Sequence, residues 1–268
     1  GRRAELMDLA LNQPVGGKYG IGNTCLWETV TGYGVAASAR RLLELQGRDL
    51  TKTRVVLQGF GIVGGAAAHY MAQAGLKIVG ITDAAGGLFS DRGLSAAEVD
   101  GLLADRTGNS LPIDVHEEEA RELRERIWDT EADVFVAAAA SGLLNDVALD
   151  RLEKSGVSMI VSAANHPFWA ECPGDTRLER EGDSRFAVVA DVIAGCGTAH
   201  AFACQSAVDT ILSPTAVIES VEQTVSDALH EAANRVGSTE RGLLAGALEV
   251  ALERCDGQPG AGQQPVHV

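Results

Sequence analysis

The residues best placed by type and spacing to do chemistry are glycines. Gly59-Phe60-Gly61-Ile62-Val63-Gly64 is a G-x-G-x-x-G run that follows the apolar stretch Val55-Val56-Leu57 and opens a helical one. In that setting the three glycines serve in turn for a tight turn, for bare backbone that a pyrophosphate can approach, and for close packing of helix on strand. The helix start adds free N–H groups and the positive end of the helix dipole. Asp83 stands about 20 residues further on, where an acid grips the hydroxyls of an adenosine ribose. Together these residues predict binding of a dinucleotide; the alternative is a tight turn in a fold that has lost its ligand. Asp83 should repel a 2′-phosphate and so favours NAD over NADP, with Arg92 as a nearby cation able to compensate.

Other groups could act beside such a site. Cys196, His200 and Cys204 share one face of a predicted helix at i, i+4 and i+8. They could hold Zn²⁺, with help from Cys172 or His166, or offer a thiolate–imidazole pair to a substrate. Three ligands on one helix converge poorly, because i and i+8 lie about 12 Å apart. Ordinary packing of cysteines is therefore the favoured reading, and no metal is expected. His166 is an acid/base candidate by position, against the plainer role of a loop histidine orienting backbone. Asp191 is either a proton carrier or a carboxylate at a helix start. Lys18, in Gly16-Gly17-Lys18-Tyr19-Gly20, is a third catalytic candidate. The run His116-Glu-Glu-Glu and the charges from Arg121 to Arg126 read as solvated helix surface.

Elements that must position these groups follow from the apolar pattern. Residues 1–30 read as irregular and glycine-rich, and a helix runs from Thr31 to Leu45. Strands at Val55–Leu57, Lys77–Thr82, Asp133–Val136, Ser158–Ser162 and Phe186–Ala190 alternate with helices at Gly64–Ala74, Ala96–Ala104 and Glu117–Ile127 and with a helix after each later strand. That alternation predicts an α/β fold: a doubly wound parallel sheet, Rossmann-like, with strands buried on both faces. Two amphipathic helices, about Thr215–Arg235 and Thr239–Arg254, follow Ser213-Pro214; they cover either their own sheet or a second subunit. The expected division is 1–47 (loop and lead-in helix), 48–212 (dinucleotide-binding domain), 213–256 (C-terminal helices) and 257–268 (disordered tail).

Composition narrows the partners. The 268 residues carry 22 Lys+Arg against 37 Asp+Glu, a formal charge of −15, which repels nucleic acid and anionic lipid. The apolar stretch from Phe186 to Ala207 is interrupted by Asp191, Gly195, Gly197 and His200, so a strand followed by a helix is expected rather than a membrane span. Five cysteines at irregular spacing argue for reduced thiols and a cytoplasmic location. The chain opens at Gly1 rather than at an initiator Met, so functional residues upstream are an expectation.

Several ordered blocks between about Thr31 and Thr215 resemble the cofactor-binding domain of the glutamate/leucine/phenylalanine/valine dehydrogenases. Thr31-Gly-Tyr-Gly-Val35 resembles the family's T-G-x-G-V, Val56-Leu-Gln-Gly-Phe-Gly-Ile-Val-Gly64 its V-x-Q-G-F-G-N-V-G, and Ile81-Thr-Asp-Ala-Ala-Gly-Gly-Leu-Phe89 its V-S-D-S-x-G-G-I-Y. Ala132-Asp-Val-Phe-Val-Ala-Ala-Ala139 resembles A-D-I-F-V-P-A-A, with Asn145-Asp146 as in the leucine branch, and Ser162-Ala-Ala-Asn165 the G-A-N loop. The resemblance implies that Thr31 reaches the nicotinamide amide, that the backbone at Ala138 and Ala139 lies along the cofactor, and that Asn165 contacts the nicotinamide ribose. It implies an NAD(P)-dependent oxidoreductase acting on an amino acid or 2-oxo acid, and the amphipathic terminal helices add the expectation of a homo-oligomer. The departures are equally specific. Gly195 stands where the family has an Asn, and His166-Pro-Phe-Trp169 follows the Asn loop where a polar pair is usual. The family's catalytic N-terminal domain, with its lysine pair and aspartate, has no counterpart in these residues, and Lys18 only imitates its lysine loop. Two readings follow: the cofactor half of an amino-acid dehydrogenase whose catalytic domain lies upstream or on another chain, or a catalytically silent NAD-binding sensor or scaffold subunit.

Overall fold

The computed structural model describes residues 2–256. The chain begins with α1 (Arg2–Leu11) and α2 (Leu26–Leu45) and then enters β1 (Arg54–Gln58), α3 (Ile62–Gln73), β2 (Lys77–Asp83) and β3 (Gly86–Leu94). It continues through α4 (Ala96–Asp105), α5 (Glu117–Arg126), β4 (Val134–Ala137), α6 (Asp146–Lys154), β5 (Met159–Ser162), α7 (Arg177–Arg185) and β6 (Ala187–Val189). Four helices close it: α8 (Asp191–Ala194), α9 (Gly197–Ser206), α10 (Pro214–Val236) and α11 (Leu243–Asp256).

One six-stranded sheet runs in the order β3-β2-β1-β4-β5-β6. All neighbours pair in parallel except β2 and β3, which are antiparallel. Strands β1, β4, β5 and β6 are apolar and buried on both faces, as expected for parallel strands between two helical layers. Alternate residues serve opposite layers. Val55 and Leu57 of β1 join the core beneath α2, α3 and α10, whereas Val56 joins Phe135, Ile160 and Val188 beneath α6, α7 and Trp128. The predicted doubly wound α/β fold is the fold observed. Strand order reverses between β1 and β4, which opens a crevice beyond their C-terminal ends.

Helix boundaries follow local chemistry. Ser95 and Glu98 form a capping box on α4, Asn145 caps α6, and Ser213 caps α10 with Pro214 in its first turn. Gly237, at φ 67°, ends α10 in the left-handed conformation glycine adopts freely. Helix α10 packs on α2, α8 and α9, and α11 on β6 and α7, so both cover parts of their own chain. The buried Asp183 of α7 fastens α11 by accepting from the N–H groups of Leu244 and Ala245, each at 2.9 Å.

Two sequence expectations need correction. Residues 2–11 form a helix rather than irregular chain, because Ala10 and neighbours pack inward while the weak amphipathic pattern hides it. The edge strand β3 is an addition to the expected elements, since its glycines and charges disguise a strand held only on one side. The stretch from Phe186 to Ala207 is the expected strand followed by helix, broken at Gly195-Cys196 into α8 and α9. Among the described residues no helix is long and apolar enough to cross a membrane. The expected tail, 257–268, lies outside the described residues.

Candidate cofactor cleft

The glycine run sits between the end of β1 and the start of α3, at the point where strand order reverses. Gly59 has φ +110°, and a Cβ there would lie 2.5 Å from the Ala138 carbonyl carbon. A Cβ on Gly64 would lie 2.0 Å from the Gly59 oxygen. These two glycines hold the backbone of the turn against β4 and α3. Gly61 differs: its nearest neighbour would be the Asn109 Cβ at 4.0 Å, so its missing side chain leaves open space. Gly61 is also the N-cap of α3 and offers no side-chain cap, which leaves the first N–H groups of the helix turned to that space.

A cleft of about 480 Å³ occupies this position, lined among others by Gly59, Phe60, Gly61, Asp83, Ala138 and Ala139. Phe60 contributes backbone there while its ring is fully buried in the core. Ile62 instead lines a neighbouring cavity of about 530 Å³, and the side chain of Val63 packs on the core beside α2, so these two offer the cleft only main chain. Gln58, at the end of β1, also lines the cleft, and its Oε1 is buried with no hydrogen-bond partner. An orphan acceptor is costly unless something donates to it. The bare Gly61, the uncapped helix start and this acceptor together match the needs of a dinucleotide.

Asp83 is at the cleft, but its carboxylate is already held. Oδ1 accepts from the Ala85 N–H at 2.8 Å and Oδ2 from the Leu111 N–H at 2.5 Å. Arg92, expected as the compensating cation, is instead paired with Glu98, whose carboxyl the guanidinium's hydrogen bonds hold down at about 2. The arginine that lines the cleft is Arg124 of α5, which donates to the Ala84 carbonyl at 2.8 Å and to Glu117 at 2.7 Å. Arg124, Asn109 and the orphan Gln58 are site residues that sequence reasoning misses. Gln58 stands in a recognised block, whereas Arg124 on α5 and Asn109 in the connection between α4 and α5 belong to no motif.

A second group lies at the ends of β4, β5 and β6. The Asn165 carbonyl accepts from Ser141 Oγ at 2.6 Å, and its side chain is exposed. His166 is the one non-glycine residue at positive φ among the described residues, 47°, and its N–H donates to Asp191 Oδ2 at 2.9 Å. Asp191 also accepts from the Val192 N–H at 2.8 Å, so it serves as a carboxylate at the start of α8. Burial raises the nearby Glu179 carboxyl above its ordinary range; His166 opposes that shift and Asp191 adds to it. Thr31 Oγ1 accepts from the Thr198 N–H at 3.2 Å and lies 2.8 Å from the Thr198 hydroxyl. A Cβ at 195 would stand 2.9 Å from the Asp191 main-chain oxygen, so a side chain there needs the end of α8 to shift.

The other two catalytic candidates lie elsewhere. The carbonyl of Lys18 accepts from Gln73 at the far end of α3, a helix about 18 Å long, and its ammonium is exposed above Tyr19. His200 Nε2 is 2.8 Å from Ser220 Oγ and 3.2 Å from Cys204 Sγ, between α9 and α10. Cys196 takes no part in that contact, and burial pushes its thiol up to about 11. Among the described residues no set of three or more His, Cys, Asp or Glu is arranged to hold a metal ion.

Fold and cleft together define a Rossmann-like α/β domain. The family described as Glutamate/Leucine/Phenylalanine/Valine dehydrogenase matches residues 24–258, and the chain belongs to it. It is 30% identical over 170 residues to the cryptic catabolic NAD-specific glutamate dehydrogenase GudB of Bacillus subtilis, a match covering 63% of this chain and 37% of that protein. It is 28% identical over 167 residues to an NADP-specific glutamate dehydrogenase of Saccharolobus shibatae, covering 62% of this chain and 37% of that one. Among solved structures, hetero-hexameric glutamate dehydrogenase from Thermus thermophilus superposes with a TM-score of 0.68 at 30% identity, covering 89% of this chain and 54% of that chain. The chain therefore spans between about a third and a half of the relatives it matches.

Proposed function

We propose that this chain is the NAD(P)-binding half of an amino-acid dehydrogenase, working with a catalytic domain that is not among these residues. The observation that carries the reading is the open backbone at Gly61, facing the uncapped start of α3 and backed by the orphan Gln58 acceptor. A nicotinamide cofactor held there supplies hydride transfer to or from the α-carbon of an amino or imino acid. The main-chain N–H groups of Phe60, Gly61, Ile62, Val63 and Gly64 would face the pyrophosphate, Gly59 would shape the turn while its own N–H donates to the Thr82 carbonyl at 2.6 Å, and Asp83 would hold the adenosine ribose. Ala138 and Ala139 would line the cofactor's path, with Asn165 and Thr31 toward the nicotinamide. NAD is the expected cofactor; Arg124 beside Asp83 supports acceptance of NADP as well. The likeness to both an NAD-specific and an NADP-specific relative is consistent with either. His166, at the same end of the sheet as Asn165, is the acid/base candidate whose placement suits that role; Lys18 and His200 lie off the cleft. The five free thiols support a reducing, cytoplasmic setting. The hexameric form of the Thermus relative supports an oligomer.

A second reading, a silent NAD-binding sensor or scaffold, draws support from Lys18, which lies far from the cleft and leaves it without that cation. Calorimetric titration with NAD tests the shared premise, and no binding would end both. Oxidation of NADH with a 2-oxo acid and ammonia, measured with the proposed catalytic domain present on the same or a partner chain, separates them: turnover favours the dehydrogenase, and binding without turnover the sensor.

A further inference from the structure

The contact between α9 and α10 places three reactive side chains together outside the cofactor cleft. His200 Nε2 stands 3.2 Å from Cys204 Sγ and 2.8 Å from Ser220 Oγ, and Ser220 Oγ is 3.8 Å from Cys204 Sγ. All three residues are half-buried, so the group meets solvent without being fully hydrated. Nothing in the proposed dehydrogenase role uses it. From this juxtaposition we propose that Cys204 is a peroxide-reactive thiol, with His200 as its base and Ser220 as the donor that steadies the thiolate.

The other cysteines provide the contrast. Cys25 is held by Glu28, and burial together with that carboxylate raises its thiol. Burial raises the Cys196 thiol to about 11, and Cys172 and Cys255 are exposed. Among the described residues only Cys204 has an imidazole within hydrogen-bond distance. A thiol is a poor nucleophile until deprotonated, and an adjacent base supplies that step. Burial lowers the pKa of His200, so the base role rests on the 3.2 Å contact of its Nε2 with the Cys204 sulfur.

The reaction balances on these groups and a hydroperoxide. His200 Nε2 takes the proton from Cys204 Sγ, and the sulfur attacks one peroxide oxygen. An S–O bond forms as the O–O bond breaks, and the departing oxygen recovers the proton from Nε2 to leave as water or an alcohol. The sulfur is oxidised by two electrons to a sulfenic acid and the peroxide is reduced by two.

Hydrogen peroxide added to the purified chain, with dimedone trapping and peptide mass spectrometry, tests this site by site. Cys204 is expected to be labelled about tenfold faster than the exposed Cys172. His200→Gln should bring Cys204 down to the rate of Cys172, and Ser220→Ala should lower it by less, with melting temperature and Cys172 labelling unchanged. Equal labelling of Cys204 and Cys172 in the unaltered chain would overturn the proposal without any variant, and so would an unchanged Cys204 rate in a folded His200→Gln protein.

Discussion

Gly61 and Gly64 look alike in the sequence but differ in what surrounds them, and that difference can be measured. A methyl at 64 collides with the Gly59 carbonyl at 2.0 Å, so Gly64→Ala should destabilise the chain by about 1–3 kcal/mol. A methyl at 61 meets nothing nearer than 4.0 Å, so Gly61→Ala should leave stability within about 0.5 kcal/mol. The same change should weaken NAD about tenfold or more, because it fills the space proposed for the pyrophosphate. Urea unfolding and calorimetric titration on both variants check the pair; equal effects on stability would show that the two glycines do one job. At Asp83 the contrast is between ligands. Arg124→Gln should weaken 2′,5′-ADP about tenfold and leave 5′-AMP unchanged, and a parallel loss of both would remove Arg124 from 2′-phosphate recognition. The glycines are legible in the sequence because a steric need admits few residue types. Arg124 is not, since a surface arginine on α5 becomes a cleft residue only after the chain folds back over β2. Lys18 misleads for the opposite reason: a short motif matches, while its position in space depends on where α3 ends.

Helix α10 is held to α2 by a polar clamp. Glu222 accepts from Tyr33 at 2.7 Å, pairs with Arg40, and lies 3.1 Å from Arg41. Burial pushes the Glu222 carboxyl up, but the hydrogen bonds from Arg40 and Tyr33 outweigh it and hold the group below its ordinary value. A carboxylate depressed in the folded state stabilises fully above its unfolded pKa. That contribution begins to fade below about pH 4.3 and disappears as pH falls through the folded value. Glu222→Gln should cost about 1–3 kcal/mol at pH 7 and much less at pH 3. Denaturation curves at the two pH values decide this, and a penalty independent of pH would show that the clamp works by shape alone. The alternation of elements is readable because buried parallel strands leave unbroken apolar runs such as Val134-Phe-Val. Residues 2–11 are not readable as helix, since their apolar residues follow no clear helical face.

On the scale of the whole chain, the sheet presents a cleft of about 480 Å³ where its strand order reverses and, by the proposal, half of an active site. The chain alone should bind NAD yet turn over no 2-oxo acid with ammonia, whereas the chain together with the proposed catalytic domain should do both. Activity in the isolated chain would place the missing acid/base groups within these residues, with His166 the first to substitute. The sheet also ends in two edges of unequal security. One is β3, with Asp91 and Arg92 along it; the other is β6, only three residues long and covered by α11. The Asp183 carboxylate accepts two N–H groups of the first turn of helix α11. Because α11 packs on β6, its loss is expected to leave that strand open to pairing between molecules. A chain trimmed before Leu243, by protease or by choice of expression boundary, should keep its cleft but lose monodispersity, and its scattering should grow with concentration while that of the intact chain stays constant.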